Sequence, residues 1–190
     1  MARLFTALEI PEDIGDELLG LQEPLTGANW IDAGNYHLTL RFAGEIDNRM
    51  AREFSDNLSD IVADAFELRI NGLGVFGGND PKSVWAGFDP SPQLAALARA
   101  HDRAARNAGI PPEKRPFKPH VTLARLRYSN AEAVAQFLTH FGGYRSKPFV
   151  VTRFVLMSSK PSTGGGPYVV EETFPLLGGG YLMDDETAAW

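Results

Sequence analysis

The sequence predicts an α+β fold of two pseudo-symmetric lobes, each a mainly antiparallel sheet flanked by helices, with a central cleft. Three observations carry this. A strand-like tetrapeptide, His37-Leu38-Thr39-Leu40, returns as His120-Val121-Thr122-Leu123. The offset, 120 − 37 = 83 residues, is close to half of the 190-residue chain, as two similar lobes would require. Strand-like and helix-like segments recur in both halves, and no Pro/Ser-rich linker separates independent domains.

Residues 3–10 read as a strand, and Pro11 opens a helix to about residue 21. Proline suits a first helical turn, and Glu12, Asp13 and Asp16 suit the positive end of its dipole. Residues 24–34 read as loop and 36–42 as the first motif strand. A turn at Gly44 leads to a helix over 48–63. Residues 66–73 and 83–88 read as an antiparallel pair joined by the Gly77-Gly78-Asn79-Asp80-Pro81 turn. The Ala- and Leu-rich helix of 92–108 stops at Gly109. Pro111, Pro112 and Pro116 stiffen the approach to the second motif strand, about 120–126. A helix over 131–141 is broken by Gly142-Gly143, and strands at 149–158 and 168–177 flank a Gly-rich loop. One two-lobed domain is expected over residues 1–178, with 179–190 a flexible tail.

Composition narrows the function. An apolar share of 44% and a charged share of 22% are those of an ordinary globular protein. With no cysteine there is no disulfide framework, no thiolate nucleophile and no Cys-based zinc site. That suits a reducing cytosol, and a cytoplasmic monomer is expected. No signal peptide and no membrane-length apolar run stand out. The net charge of −6 argues against a protein that grips a long duplex through its phosphates. The acidity alone does not exclude nucleic acid, but a nucleic-acid ligand would then be held by a chain end in a local pocket.

Alternation along a strand gives the motifs their geometry. His37 and Thr39 share one face, Leu38 and Leu40 the other; His120 and Thr122 likewise oppose Val121 and Leu123. If an approximate two-fold relates the lobes, two imidazoles and two hydroxyls meet across the cleft. Two amphipathic strands with incidental histidines would explain one copy, but not the same four-residue pattern at mirrored positions. His101 on a helix and His140 near a helix end have no repeat partner and read as surface residues. Gly164-Gly165-Gly166 lacks the Lys-Ser/Thr of a P-loop and reads as a hairpin loop. Trp30 and Trp85 read as core or cleft-wall aromatics.

The two motifs resemble the paired His-x-Thr-x motifs of the 2H phosphoesterase superfamily. Within it, the chain is most similar to the RNA 2′,3′-cyclic phosphodiesterases of bacteria and archaea, historically called 2′-5′ RNA ligases. The opening strand Arg3-Leu4-Phe5-Thr6-Ala7-Leu8-Glu9-Ile10-Pro11 and the run Phe117-Lys118-Pro119-His120-Val121-Thr122-Leu123-Ala124-Arg125 share in the likeness.

Opening a 2′,3′-cyclic phosphate needs a base for water, an acid for the departing ribose oxygen, and donors for the non-bridging oxygens. Two histidines fit the first two roles because imidazole titrates near neutrality. Thr39 and Thr122 fit the third. The chemistry needs no metal and no cofactor. The residues themselves leave acid and base unassigned. The resemblance implies that His37 is the general acid and His120 the general base, with a 2′-phosphate as product and weak 2′-5′ ligation as the reverse. It further implies that Arg125 binds phosphate and that Phe42 stacks on the base.

Both stand five residues beyond their histidine, which on an ideal strand is the aliphatic face. A bulge or strand end near Ala124 and Ala43 would have to turn them back. Arg41 and Lys118 share parity with the histidines and read as solvated charges or RNA contacts. Two other readings compete: a 2H esterase for another small cyclic phosphate (a cyclic nucleotide or ADP-ribose derivative), and a nucleotide-binding module without turnover. A metal site is weakly supported, since the two histidines lack acidic ligands at a fixed spacing.

Overall fold

The computed structural model describes residues 3–160 and 166–179. The chain runs β1 (Arg3–Glu9), α1 (Glu12–Leu19), β2 (Ala28–Trp30), β3 (His37–Glu45), α2 (Asn48–Ser59), β4 (Phe66–Leu68), β5 (Ile70–Phe76) and β6 (Ser83–Phe88). It continues through α3 (Pro92–Asn107), β7 (Val121–Leu126), α4 (Ala131–Phe141), β8 (Phe149–Val151), β9 (Arg153–Ser159) and β10 (Val169–Pro175). Three helix starts are capped from the sequence: Asp47, Ser91 and Asn130 accept from the N–H groups of Met50, Leu94 and Glu132. The tail from residue 180 and the 161–165 part of the Gly-rich loop lie outside the described residues. No described helix is long and apolar enough to cross a membrane.

The fold is the α+β, two-lobed arrangement expected. The large sheet has the order β10-β9-β1-β3-β7-β6-β5, with β2 also paired to β7, and all its pairings are antiparallel. Its central seam, β3 against β7, rests on one register pair, Leu38↔Val121. On one side of the seam lie β3, β1, β9 and β10; on the other, β7, β6, β5 and β2. The lobes are therefore not the two halves of the chain. The first half lends β5 and β6 to the second motif, and the C-terminal part returns β9 and β10 to the first.

On one face of the sheet Leu38, Leu40, Val121 and Leu123 are buried in a core shared with Phe54 and Leu58 of α2 and Leu94, Leu97 and Ala104 of α3. Each such aliphatic side chain removed from water stabilises the fold by about 1.5–3 kcal/mol. The core fixes which face of each motif strand is left open.

Several boundaries differ from expectation. The segments 66–73 and 149–158 are each interrupted, at Arg69 and Thr152, because β4 and β8 pair with each other before the chain steps into the large sheet. Helix α2 ends at Ser59, not near residue 63, and Ala63 and Ala65 instead hydrogen-bond the backbone of Leu177. Strand β2 lies within the stretch read as loop. His101 is not on the surface: it is wholly buried, its Nδ1 2.8 Å from Thr6 Oγ1 and its ring edge-on to Phe154. Burial pushes its pKa down to about 3.

Candidate functional site

The seam brings the motifs together. The pair Leu38↔Val121 lies one residue beyond each motif histidine and one before each motif threonine. Leu38 and Val121 point into the core, so the histidines and threonines share the other, part-open face. The two motif histidines therefore flank this pair, each one residue before it on its own strand. An approximate two-fold passes between Leu38 and Val121 and exchanges the motifs.

Each imidazole is fixed in the same way. His37 Nδ1 lies 2.8 Å from the carbonyl oxygen of Asn35, and His120 Nδ1 lies 2.6 Å from that of Lys118. A carbonyl only accepts, so in both rings Nδ1 carries the proton and donates it. Nε2 is left, in both, as the atom that gains or loses a proton. The anchoring carbonyl is two residues before the histidine in each case.

Aromatic walls complete the setting. The His37 ring is 4.8 Å from Tyr168 and 5.1 Å from Phe5, centroid to centroid. The His120 ring is 5.1 Å from Phe76 and 6.3 Å from Trp85. Gly74 makes room for that wall, since a Cβ there would stand 2.3 Å from the Trp85 ring. Burial holds the His37 pKa below the ordinary histidine range; its bond to the Asn35 carbonyl opposes this, and the positive charges of His120 and Arg125 reinforce it.

Phe42 and Arg125 reach this face through paired bulges. Ala7 and Thr6 of β1 face Thr39 and Arg41, which leaves Leu40 as an extra residue in β3. Trp85 and Val84 of β6 face Thr122 and Ala124, which leaves Leu123 as an extra residue in β7. One inserted residue reverses the parity of everything after it. Phe42 therefore emerges 55% exposed, with its ring 5.7 Å from Phe5. Arg125 emerges exposed beside Ser83 and Asn29. The bulge in β7 falls beside Ala124, as anticipated; the one that turns Phe42 falls at Leu40, ahead of Ala43, where a second irregularity occurs.

The same slip overturns the reading of Arg41 as a solvated charge or RNA contact. Arg41 is turned to the helix side and is only 3% exposed. Its guanidinium bonds Asp102 at 2.9 Å, Glu113 at 3.3 Å, and the carbonyls of Phe42 and Pro111. Lys118 keeps its place near the site, with Nζ 4.6 Å from the Trp85 ring and 5.1 Å from Phe76. Trp85 is a cleft wall, and Trp30 packs 5.6 Å from Phe137. Phe5, Phe76 and Tyr168 were not singled out from the sequence, since their approach to the histidines depends on pairings between segments distant in the chain. Among the described residues no cluster of three or more His, Cys, Asp or Glu is placed to hold a metal.

Comparison with known proteins bears on the fold and the family. The model of the family described as LigT like Phosphoesterase matches twice, over residues 8–86 and 88–168. Among curated relatives, an RNA 2′,3′-cyclic phosphodiesterase of Aeropyrum pernix is 35% identical over 115 residues, 59% of this chain and 65% of the relative. One of Aquifex aeolicus is 31% identical over 154 residues, 78% of this chain and 82% of the relative. Among solved structures, Escherichia coli LigT complexed with 3′-AMP superposes with a TM-score of 0.76 at 26% identity, covering 93% of this chain and 98% of that one. Each matched segment contains one histidine motif, and the chain belongs to the LigT-like phosphoesterase family.

Proposed function

We propose that this phosphoesterase hydrolyses RNA-terminal 2′,3′-cyclic phosphates to 2′-phosphates by two-histidine acid–base catalysis. The observation that carries the proposal is the matched anchoring of the rings: each Nδ1–H is held by a carbonyl two residues upstream, so both Nε2 atoms are available on one face of the seam. The relatives named RNA 2′,3′-cyclic phosphodiesterase support the substrate class.

In the proposed reaction His120 Nε2 takes a proton as a water oxygen bonds to phosphorus. The bond from phosphorus to the ribose 3′ oxygen breaks, and that oxygen receives a proton from His37 Nε2. Thr39, Thr122 and Arg125 stabilise the non-bridging oxygens as charge accumulates, and Phe42 stacks on the terminal base. Each proton transfer contributes about 10²–10⁴ in rate. Exchange with solvent resets the two rings. The same steps reversed, with a 5′-hydroxyl in place of water, give weak 2′-5′ ligation.

The assignment of acid and base follows the family resemblance, and one observation bears on it. The surroundings of His37 favour its neutral form. A general acid there requires the phosphodiester anion to raise its pKa on binding, a reversal that an opposite charge in a half-buried site supplies.

The direct experiment incubates the protein, with and without EDTA, with an RNA oligonucleotide ending in a 2′,3′-cyclic phosphate. The expected product carries a 2′-phosphate, and EDTA makes no difference. A 3′-phosphate product would overturn the regiochemistry. Turnover confined to cyclic nucleotides or ADP-ribose derivatives would favour the other esterase reading, and binding without turnover the nucleotide-binding one.

A further inference from the structure

We propose that the exposed loop of residues 112–118 is a track for the single-stranded RNA that precedes the reacting end. The protein would then act on oligonucleotides in preference to nucleoside cyclic phosphates. The inference rests on the phosphodiesterase reading above and extends it from the terminal nucleotide to its upstream neighbours.

The loop reads Pro112-Glu113-Lys114-Arg115-Pro116-Phe117-Lys118, placing three cations within five residues of a chain whose net charge is −6. All seven residues are exposed, and Phe117 leaves 40% of its surface in water. Neither Lys114 nor Arg115 forms an ion pair or side-chain hydrogen bond among the described residues. Cations interleaved with an exposed aromatic are what an unpaired strand needs: positive charge for the phosphates and a ring face for a base.

The loop is held in place, and it leads to the reacting atoms. At its base, the buried Arg41 donates to the Pro111 carbonyl and to Glu113, while Pro112 and Pro116 limit its backbone freedom. At its far end the Lys118 carbonyl holds His120 Nδ1–H, and Lys118 Nζ lies against the Trp85 ring. Trp85 is the strand neighbour of Thr122. A chain whose terminal phosphate lies between the histidines therefore meets positive charge at once on the His120 side. A mononucleotide would use none of Lys114, Arg115 or Phe117.

The test compares kcat/KM for uridine 2′,3′-cyclic phosphate with that for cyclic-phosphate-ended di-, tetra- and octanucleotides, in wild type and in the Lys114→Ala/Arg115→Ala double variant. In wild type the value should rise with length. In the variant the octanucleotide should lose about tenfold relative to the mononucleotide. Salt dependence of octanucleotide binding should weaken by about 1.4 in log–log slope, about 0.7 per lost phosphate contact. Binding is read separately, by anisotropy, with an octanucleotide ending in an ordinary 3′-phosphate. A wild type that turns over every length equally, or a variant that loses equally on all of them, overturns the track and leaves the phosphodiesterase reading intact. Salt-dependent octanucleotide binding that the variant loses, without hydrolysis of any cyclic phosphate, overturns that reading and leaves the track. Equal affinity for a polyglutamate peptide overturns the assignment to nucleic acid. Both substituted residues are solvent-exposed, so an unchanged Tm is the control for folding.

Discussion

Leu40 and Leu123 occupy the same place in the two motifs, each three residues beyond its histidine, and each is the inserted residue of a β-bulge. Neither side chain reaches the cleft, since both are buried in the core. They act instead on the direction of the residues after them. Without the insertions Phe42 and Arg125 would point among the helices; with them, both stand on the face that carries His37 and His120. The face on which the residue five beyond each motif histidine stands thus depends on a backbone irregularity repeated in both lobes.

Arg125→Ala should therefore weaken catalysis without weakening the fold, because an exposed side chain is removed from the open face. A charge-assisted hydrogen bond of about 1.5–3 kcal/mol corresponds to a loss of roughly tenfold to 150-fold in kcat/KM. Phe42→Ala should cost about 1–3 kcal/mol if a base stacks there, read as a higher KM. Steady-state kinetics alongside thermal melts separates these outcomes from general damage.

His37 should titrate below the ordinary histidine range in the free protein and move upward when a nucleotide 2′-phosphate binds, because burial and two cations are then opposed by an anion. The measurement is the NMR pH titration of the ring carbon resonances with and without 2′-AMP. A cyclic substrate with sulfur in place of the 3′ bridging oxygen tests the role itself, since a thiolate departs without an acid. It should restore turnover to His37→Ala and not to His120→Ala; the opposite pattern would exchange acid and base.

His101 gives a stability prediction independent of catalysis. Its pKa is depressed to about 3 in the fold, against 6.5 for the free side chain, so below pH 6.5 the unfolded chain binds the extra proton. The stabilisation is complete above pH 6.5 and is lost as pH falls towards 3, at about 1.4 kcal/mol per pH unit. Melting temperature against pH should fall more steeply over that window in wild type than in His101→Leu.

Much of the candidate site's geometry was legible because it depends on strand parity and on repetition. The His-x-Thr-x pattern set which residues share a face, and the core did place Leu38 and Val121 on the opposite one. What parity could not reveal was where it breaks. Leu40 and Leu123 are ordinary strand residues, and their status as insertions is set by the register of β1 and β6, which lie elsewhere in the chain. Arg41 was misread for the same reason. The exchange of strand pairs between lobes is likewise a matter of distant pairing, and nothing local to β5 or β9 announces it. His101 is different, since its signal was present and missed. It continues the buried face of α3, Leu94, Leu97, Ala98, His101, Ala104 and Ala105, at helical spacing.

The most direct test of two imidazoles acting on one phosphorus is kcat/KM for a cyclic-phosphate-ended oligonucleotide in His37→Ala and in His120→Ala, each with its melting temperature. Each substitution should cost at least about 10² in rate while the protein stays folded. If either variant, folded, keeps turnover near the wild-type value, the two-histidine account is wrong.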